Sequence, residues 1–267
     1  MMLERIVQAK REEVASRKAA VPVRELQARM RDLPPPRDFH RAIDRRSSEG
    51  DIRLIAEVKR ASPSQGVLRQ GFAVEALAGT YARAGAAALS VLTDTPFFQG
   101  SLDDLVRAKA AVALPVLRKD FVLDPYQVYE TRACGADAIL LIAAILERQA
   151  LRDLLDLAQE LELHPLIEVH TREELHAVLG TKAPIVGINN RDLKTFRVSV
   201  ETTFALLSDI PPDRVVVSES GISRRADAVR LEAAGVDAIL VGEGLLRSAD
   251  VEGKIRELMG TARDDSH

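Results

Sequence analysis

The chain has 267 residues, 46% of them hydrophobic, enough to bury a sizeable core in one large domain or two small ones. Its 37 basic and 40 acidic residues leave a net charge of −3, which gives no electrostatic footing for nucleic acid or an anionic membrane. A single cysteine, Cys134, excludes an internal disulfide and fits a reducing compartment.

The N-terminal residues contain no long apolar run, so a signal peptide is not expected. No stretch of the chain approaches the ~20 apolar residues of a membrane span. A cytoplasmic protein is the expectation. Residues 3–18 show helical spacing, with Leu3, Ile6, Val7 and Val14 on one side and charges elsewhere. A second helix is predicted near 23–30, and Leu33-Pro34-Pro35-Pro36-Arg37 breaks it. A third is predicted over 39–46. The first 50 residues therefore read as a helical extension ahead of the main fold.

From Arg53 onward short apolar runs alternate with amphipathic ones. The strand-like runs are 53–58, 87–92, 114–118, 137–142, 163–168, 184–188, 214–218 and 237–241. The helical runs between and after them are 73–84, 102–111, 125–134, 147–161, 172–179, 200–208, 223–233 and 245–259. Eight such βα units imply a parallel sheet with helical crossovers, and continuously apolar strands imply cover on both faces. An internal echo supports a closed eightfold barrel. Ala84-Gly85-Ala86-Ala87-Ala88-Leu89, Cys134-Gly135-Ala136-Asp137-Ala138-Ile139 and Ala234-Gly235-Val236-Asp237-Ala238-Ile239 resemble one another at separations of 50 and 100 residues. In each, glycine can close a helix in the left-handed conformation before the next strand. The expected fold is an α/β, (β/α)8 TIM barrel over residues 51–260 with an N-terminal helical extension over 1–50. Together they are expected to form a single domain, and residues 261–267 a disordered tail. Cys134, at a predicted helix end, reads as a packing residue.

In such a barrel chemistry collects at the C-terminal ends of the strands. The first strand supplies Glu57 and Lys59, two apart and so on one side, then Ser62. The second runs into a loop with Phe97 and Phe98, which could be core or an apolar wall for a flat ligand. The third ends Leu117-Arg118-Lys119, so Lys119 should point inward with Leu117. The fourth ends in aliphatics. The fifth gives Glu168 with His170 beyond it, the sixth Asn189 and Arg191, and the seventh Glu219, Ser220 and Gly221. After the eighth comes Gly242-Glu243-Gly244. The paired glycine turns after strands seven and eight fit a phosphate site, to which Arg191 could add a charged fork. Three carboxylates and two lysines in one pocket cannot all keep their ordinary proton affinities, which suits general acid–base work. No histidine pair has metal-ligand spacing, and no metal is expected. A Schiff-base lysine at 59 or 119, or a non-catalytic barrel binding a phosphorylated metabolite, are the competing readings.

Together these residues resemble the indole-3-glycerol phosphate synthase family of tryptophan biosynthesis. The resemblance spans nearly the whole chain. It rests on Ala56-Glu57-Val58-Lys59-Arg60-Ala61-Ser62-Pro63-Ser64, Leu117-Arg118-Lys119-Asp120-Phe121, Ile167-Glu168-Val169-His170, Gly187-Ile188-Asn189-Asn190-Arg191-Asp192-Leu193 and Ser218-Glu219-Ser220-Gly221-Ile222. Gly244 departs from the small side chain expected there. The resemblance implies a cofactor-free carbon–carbon lyase (a carboxy-lyase). It would convert 1-(2-carboxyphenylamino)-1-deoxyribulose 5-phosphate to indole-3-glycerol phosphate, CO2 and water. On that reading Lys119 is the candidate acid, Glu168 the base, and Glu57 and Lys59 their assistants. Asn189, Glu219 and Ser220 would position substrate, while Ser62, with its loop, reaches over it. Arg191, Gly221, Gly242 and Glu243 would hold phosphate. The first helix would cover the mouth. The expected partner is a small phosphorylated substrate, and a monomer is expected.

Overall fold

The computed structural model describes residues 2–47, 50–63, 66–68, 71, 73–192 and 195–261. Ser64, Leu193 and, of the expected tail at 261–267, all but Thr261 lie outside the described residues.

Eight parallel strands close into a barrel: β1 (Arg53–Val58), β2 (Ala88–Leu92), β3 (Val116–Lys119), β4 (Ala138–Ile142), β5 (His164–Val169), β6 (Ile185–Asn189), β7 (Val215–Glu219) and β8 (Ala238–Val241). Each pairs with its sequence neighbour, and β1 closes the ring against β8. The predicted runs lie within two residues of these strands. Alternation then sorts the side chains. Ile55, Leu117, Leu166, Val217 and Leu240 fill the barrel interior. Leu54, Leu89, Ile139 and Ile167 pack outward under the helices.

The echoed glycines do what their position requires. Gly85, Gly135 and Gly235 have φ of +97°, +77° and +105°. In each case the next residue donates its N–H five residues back, as Ala86 to Tyr81, Ala136 to Thr131 and Val236 to Leu231. This is the Schellman closure. The same closure occurs before β5, where Leu163 donates to Ala158 and Glu162 takes the left-handed place at φ +60°. The echo missed it because a side chain stands there. Asp137 and Asp237, one residue before their strands, accept an N–H at the start of the preceding strands, from Val116, first in β3, at 2.7 Å and from Val216, second in β7, at 2.8 Å.

The N-terminal extension runs the length of the barrel. Helix α1 (Met2–Ala20) crosses the mouth, and α2 (Val23–Met30) packs beside the barrel against α7 (Pro125–Ala133). Then α3 (Phe39–Ile43) closes the opposite end, with Phe39 and Ile43 fully buried among the interior residues. The chain continues in a 3-10 turn at Arg45–Ser47, where sequence predicted one helix to 46.

The helices that follow are α4 (Val74–Arg83), α5 (Thr95–Phe98), α6 (Leu102–Ala111), α8 (Arg148–Glu160), α9 (Arg172–Leu179), α10 (Glu201–Leu207) and α11 (Arg225–Ala234). The predicted last helix is two: α12 (Glu243–Leu246) and α13 (Val251–Met259). Asp250 breaks it by capping α13, accepting the Gly253 N–H at 2.9 Å. A two-stranded hairpin, Ala61–Ser62 with Gly66–Val67, follows β1 where sequence gave only a loop. No helix among the described residues is long and apolar enough to cross a membrane.

Candidate active site

The C-terminal ends of the strands open into a cavity of about 610 Å³. Each predicted site residue lines it: Glu57, Lys59, Ser62, Lys119, Glu168, Asn189, Arg191, Glu219, Ser220, Gly221, Gly242 and Glu243. Met2, Leu3 and Ile6 of α1 contribute apolar cover from above. Phe98 belongs to the wall and packs near Phe121, ring centroids 6.0 Å apart, whereas Phe97 does not line the cavity.

Lys119 is the hub. Its Nζ lies 2.7 Å from Glu168 Oε2 and 3.2 Å from Glu219 Oε2. Burial alone would lower the proton affinity of this ammonium, but Glu168, Glu219 and Glu57 together raise it well above the ordinary lysine value. Burial would raise Glu168, yet Lys119 and the nearby His170 ring, 3.2 Å away, hold it below the usual carboxylate range. Glu219 is left with less. Burial pushes it up to about 7, with Lys119 opposing and Glu168 adding to the rise, and its Oε1 is buried without a hydrogen-bond partner. One ammonium thus serves two carboxylates, and they divide into an ionised one and one poised to hold a proton near neutrality.

Lys59 belongs to a separate pair. It lies 2.6 Å from Glu57 Oε1 and neutralises it. Glycines make room for these carboxylates. A Cβ at Gly242 would collide with the Glu57 side chain, and one at Gly187 with Glu219 and Leu166. Ser62 Oγ is buried and without a partner among the described residues.

At the other side of the mouth Ser220 and Gly221 are consecutive left-handed residues, φ +66° and +78°. Gly221 packs so closely on Val198 that a Cβ would not fit. Asn190 braces this turn, donating to Ser218 Oγ and to the Ser220 carbonyl, both at 3.0 Å. The Glu243 carboxylate lies 3.6 Å from Arg191 and 3.1 Å from Arg247. Any contribution of Glu243 to an anion site would therefore come from its backbone, because its side chain competes for the same guanidinium groups.

Sequence reasoning passed over three features. Arg118, Asp120 and Asp94 form a buried ionic cluster with Lys10 of α1, whose Nζ lies 3.0 Å from Asp94 and 2.9 Å from Asp120. On α1 Lys10 looked like one more solvated charge, but it is 1% exposed and pins the helix to the barrel. Asn190 was read only as part of a motif. His170 was weighed only as a metal ligand, although it touches Glu168.

The family model described as indole-3-glycerol phosphate synthase matches residues 3–258. A protein of that name from Albidiferax ferrireducens is 49% identical over 261 residues, 98% of this chain and 99% of the relative. Another from Dehalococcoides mccartyi is 50% identical over 263 residues, covering 97% and 100%. A third from Rhodopirellula baltica is 50% identical over 250 residues, covering 94% and 95%. Among solved structures, 3-hexulose-6-phosphate synthase from Salmonella typhimurium superposes with a TM-score of 0.63 at 11% identity, over 78% of this chain and 97% of that one. A chain of the tryptophan synthase complex from Pyrococcus furiosus gives 0.57 at 14% identity, over 79% and 98%. At such identities these structures speak for the barrel fold alone.

Proposed function

This chain belongs to the indole-3-glycerol phosphate synthase family, and on that premise we propose that Lys119 and Glu168 are the acid and base of its reaction. The enzyme is a carboxy-lyase of tryptophan biosynthesis. It closes the ring of 1-(2-carboxyphenylamino)-1-deoxyribulose 5-phosphate, releases CO2 and water, and leaves indole-3-glycerol phosphate.

The chemistry needs two kinds of proton transfer. In ring closure the aromatic carbon bearing the carboxylate bonds to the ketone carbon, and the ketone oxygen takes up a proton. Loss of CO2 returns the bonding pair to the ring. In dehydration an acid protonates the departing hydroxyl while a base removes a proton from the adjacent carbon. The observation that carries the assignment is the Lys119–Glu168 pair. At 2.7 Å the lysine is held as an ammonium and the glutamate as a carboxylate, so each starts in the form its role requires. Glu219, with a proton affinity near neutrality, is placed to relay or hold a proton beside them. Lys59, paired with Glu57, adds positive charge for an anionic substrate. Asn189 and Ser220 orient the ribulose chain under the Ser62 loop. Gly221, Gly242 and the Glu243 amide receive the phosphate, with Arg191 beside them. The apolar end of α1 and Phe98 enclose the aromatic ring and exclude water.

We further infer a cytoplasmic monomer, from the phosphorylated substrate and the lone thiol at Cys134. The test is turnover of the anthranilate-derived ribulose phosphate by purified protein with nothing else added, followed by indole fluorescence. Conversion is expected, and its absence overturns the reading. Glu168→Gln should fail mainly at dehydration; an unchanged rate removes Glu168 from the mechanism.

A further inference from the structure

Strand β5 ends Glu168-Val169-His170, and the alternation that turns Glu168 inward turns His170 to the same side. The imidazole is 7% exposed and stands between two carboxylates. Nε2 lies 3.2 Å from Glu168 Oε1, and Nδ1 lies 3.3 Å from Glu174 Oε2. The same Glu174 oxygen accepts the His170 backbone N–H at 2.7 Å. Glu174 is itself fixed, because it occupies the first turn of α9 and donates its own N–H to the capping hydroxyl of Thr171. A carboxylate there is favoured by the helix dipole.

A neutral imidazole carries one N–H and can satisfy only one of these acceptors. Only Nδ1 makes a hydrogen bond, to Glu174, while Nε2 stands 3.2 Å from Glu168 without one, so it is positive charge on the ring that would bind it to both carboxylates. We propose that His170 is a positioning residue: an imidazolium braced by Glu174, it sets its Nε2 edge against Glu168 Oε1 at ion-pair distance and leaves Oε2 as the oxygen that exchanges protons in the cavity. The inference rests on the reading of Glu168 as the base. It explains what holds that base, since Lys119 on Oε2 and His170 on Oε1 grip the carboxylate from both ends. The charged groups around it are Glu168 on its own strand, Glu174 on α9, and, beyond Glu168, Lys119 of β3 and Glu219 of β7. Burial would lower the proton affinity of the ring, but the carboxylates of Glu168 and Glu174 push it up to about 10.

The experiment compares His170→Phe, His170→Gln and Glu174→Gln in the full chain, with Glu168→Gln as reference. Turnover is measured as kcat and KM from about pH 9 down to the lowest pH at which the parent stays folded, about pH 3. His170→Phe should lower kcat about tenfold with little change in KM, and raise the acidic limb of the profile by about one pH unit, because Glu168 loses one of its two cations. His170→Gln, which restores an uncharged N–H donor at the same reach, should recover much of kcat but not the acidic limb. Glu174→Gln should move the limb the same way by less. The imidazole 15N spectrum of the unaltered protein near pH 8 should show a doubly protonated ring, whether or not the phenylalanine variant folds. A single-N–H neutral ring at that pH overturns the proposal, as does a wild-type kcat and pH profile in His170→Phe. An inactive Glu168→Gln beside an unaffected His170→Phe would sink this inference and spare the assignment of the base. A fully active Glu168→Gln would sink both.

Discussion

Lys119 and Arg118 are neighbours on β3, yet they face opposite sides of the barrel wall and sit in clusters built on opposite terms. Arg118, fully buried between barrel and helices, has an acceptor for each of its donors. Nε reaches Thr93 Oγ1 at 3.1 Å, Nη1 reaches the Gln127 carbonyl and Thr131 Oγ1, and Nη2 reaches Asp120 and Glu130. Asp120 is equally filled, by Thr93, Phe121 N–H, Arg118 and Lys10. Burial would raise its carboxyl, but Arg118 and Lys10 hold it well below the usual range. Lys119 instead faces the cavity and divides its charge between Glu168 and Glu219, whose Oε1 has no partner. Both clusters are ionic and buried. Completeness of hydrogen bonding at the core of each cluster separates them: the filled Arg118–Asp120 pair fixes structure, with Asp94 Oδ2 at its edge meeting only the Lys10 charge, and the short-handed pair retains proton affinities that substrate can shift.

Exchanging the roles of the two cations in experiment is the strongest way to break that contrast. Lys119→Ala should lower kcat by about a thousandfold, within the span of general acid catalysis. It should cost no more than about 1 kcal/mol of stability, because the cavity admits water and Glu219 can take a proton. Indole fluorescence and a urea titration read the two effects. Arg118→Met should do the reverse. It removes the buried cation between Asp120 and Glu130, leaving them only Lys10 and Arg17, and should cost about 3 kcal/mol of stability. In the folded fraction kcat should stay within about threefold of the parent, since no catalytic group is touched. An Arg118 variant that is stable but inactive would erase the distinction.

The fold was legible because the features that decide it are local. Eight apolar runs, alternating with amphipathic ones, marked the strands, and three left-handed glycines marked helix closures. The mouth was legible for a related reason. Period-two alternation says which residues share a side, so Glu57 with Lys59, and Leu117 with Lys119, could be assigned without coordinates. Alternation does not say what stands opposite. Arg118 plainly faces away from Lys119, but its partners lie 13 residues or fewer ahead and 25 behind, on elements whose approach only packing sets. Lys10 is the extreme case, since its acceptors belong to Asp94 and Asp120 on two other loops. The break at Asp250 went unread because the apolar spacing of α13 continues that of α12.

The smallest effect separates the clusters by pH alone. Glu219 has a folded-state pKa of about 7 against an ordinary 4.5, because burial and the Glu168 charge outweigh Lys119. Between those values the folded protein keeps a proton that the unfolded chain has released. Stability must then fall as pH rises through that window, by no more than about 1.4 kcal/mol per pH unit. Asp120 has the opposite sign. Its carboxyl is depressed, so the stability it lends is present above its ordinary value of 3.8 and is lost as pH falls below it. His170 adds a further decline that begins above its ordinary 6.5 and runs through about 10. Urea titrations of the parent and Glu219→Gln at several pH values remove the terms common to both. The parent should lose stability relative to Glu219→Gln between about pH 4.5 and 7. Parallel curves would mean that Glu219 is ionised throughout, and that the mouth is as fully satisfied as the Arg118–Asp120 pair behind it.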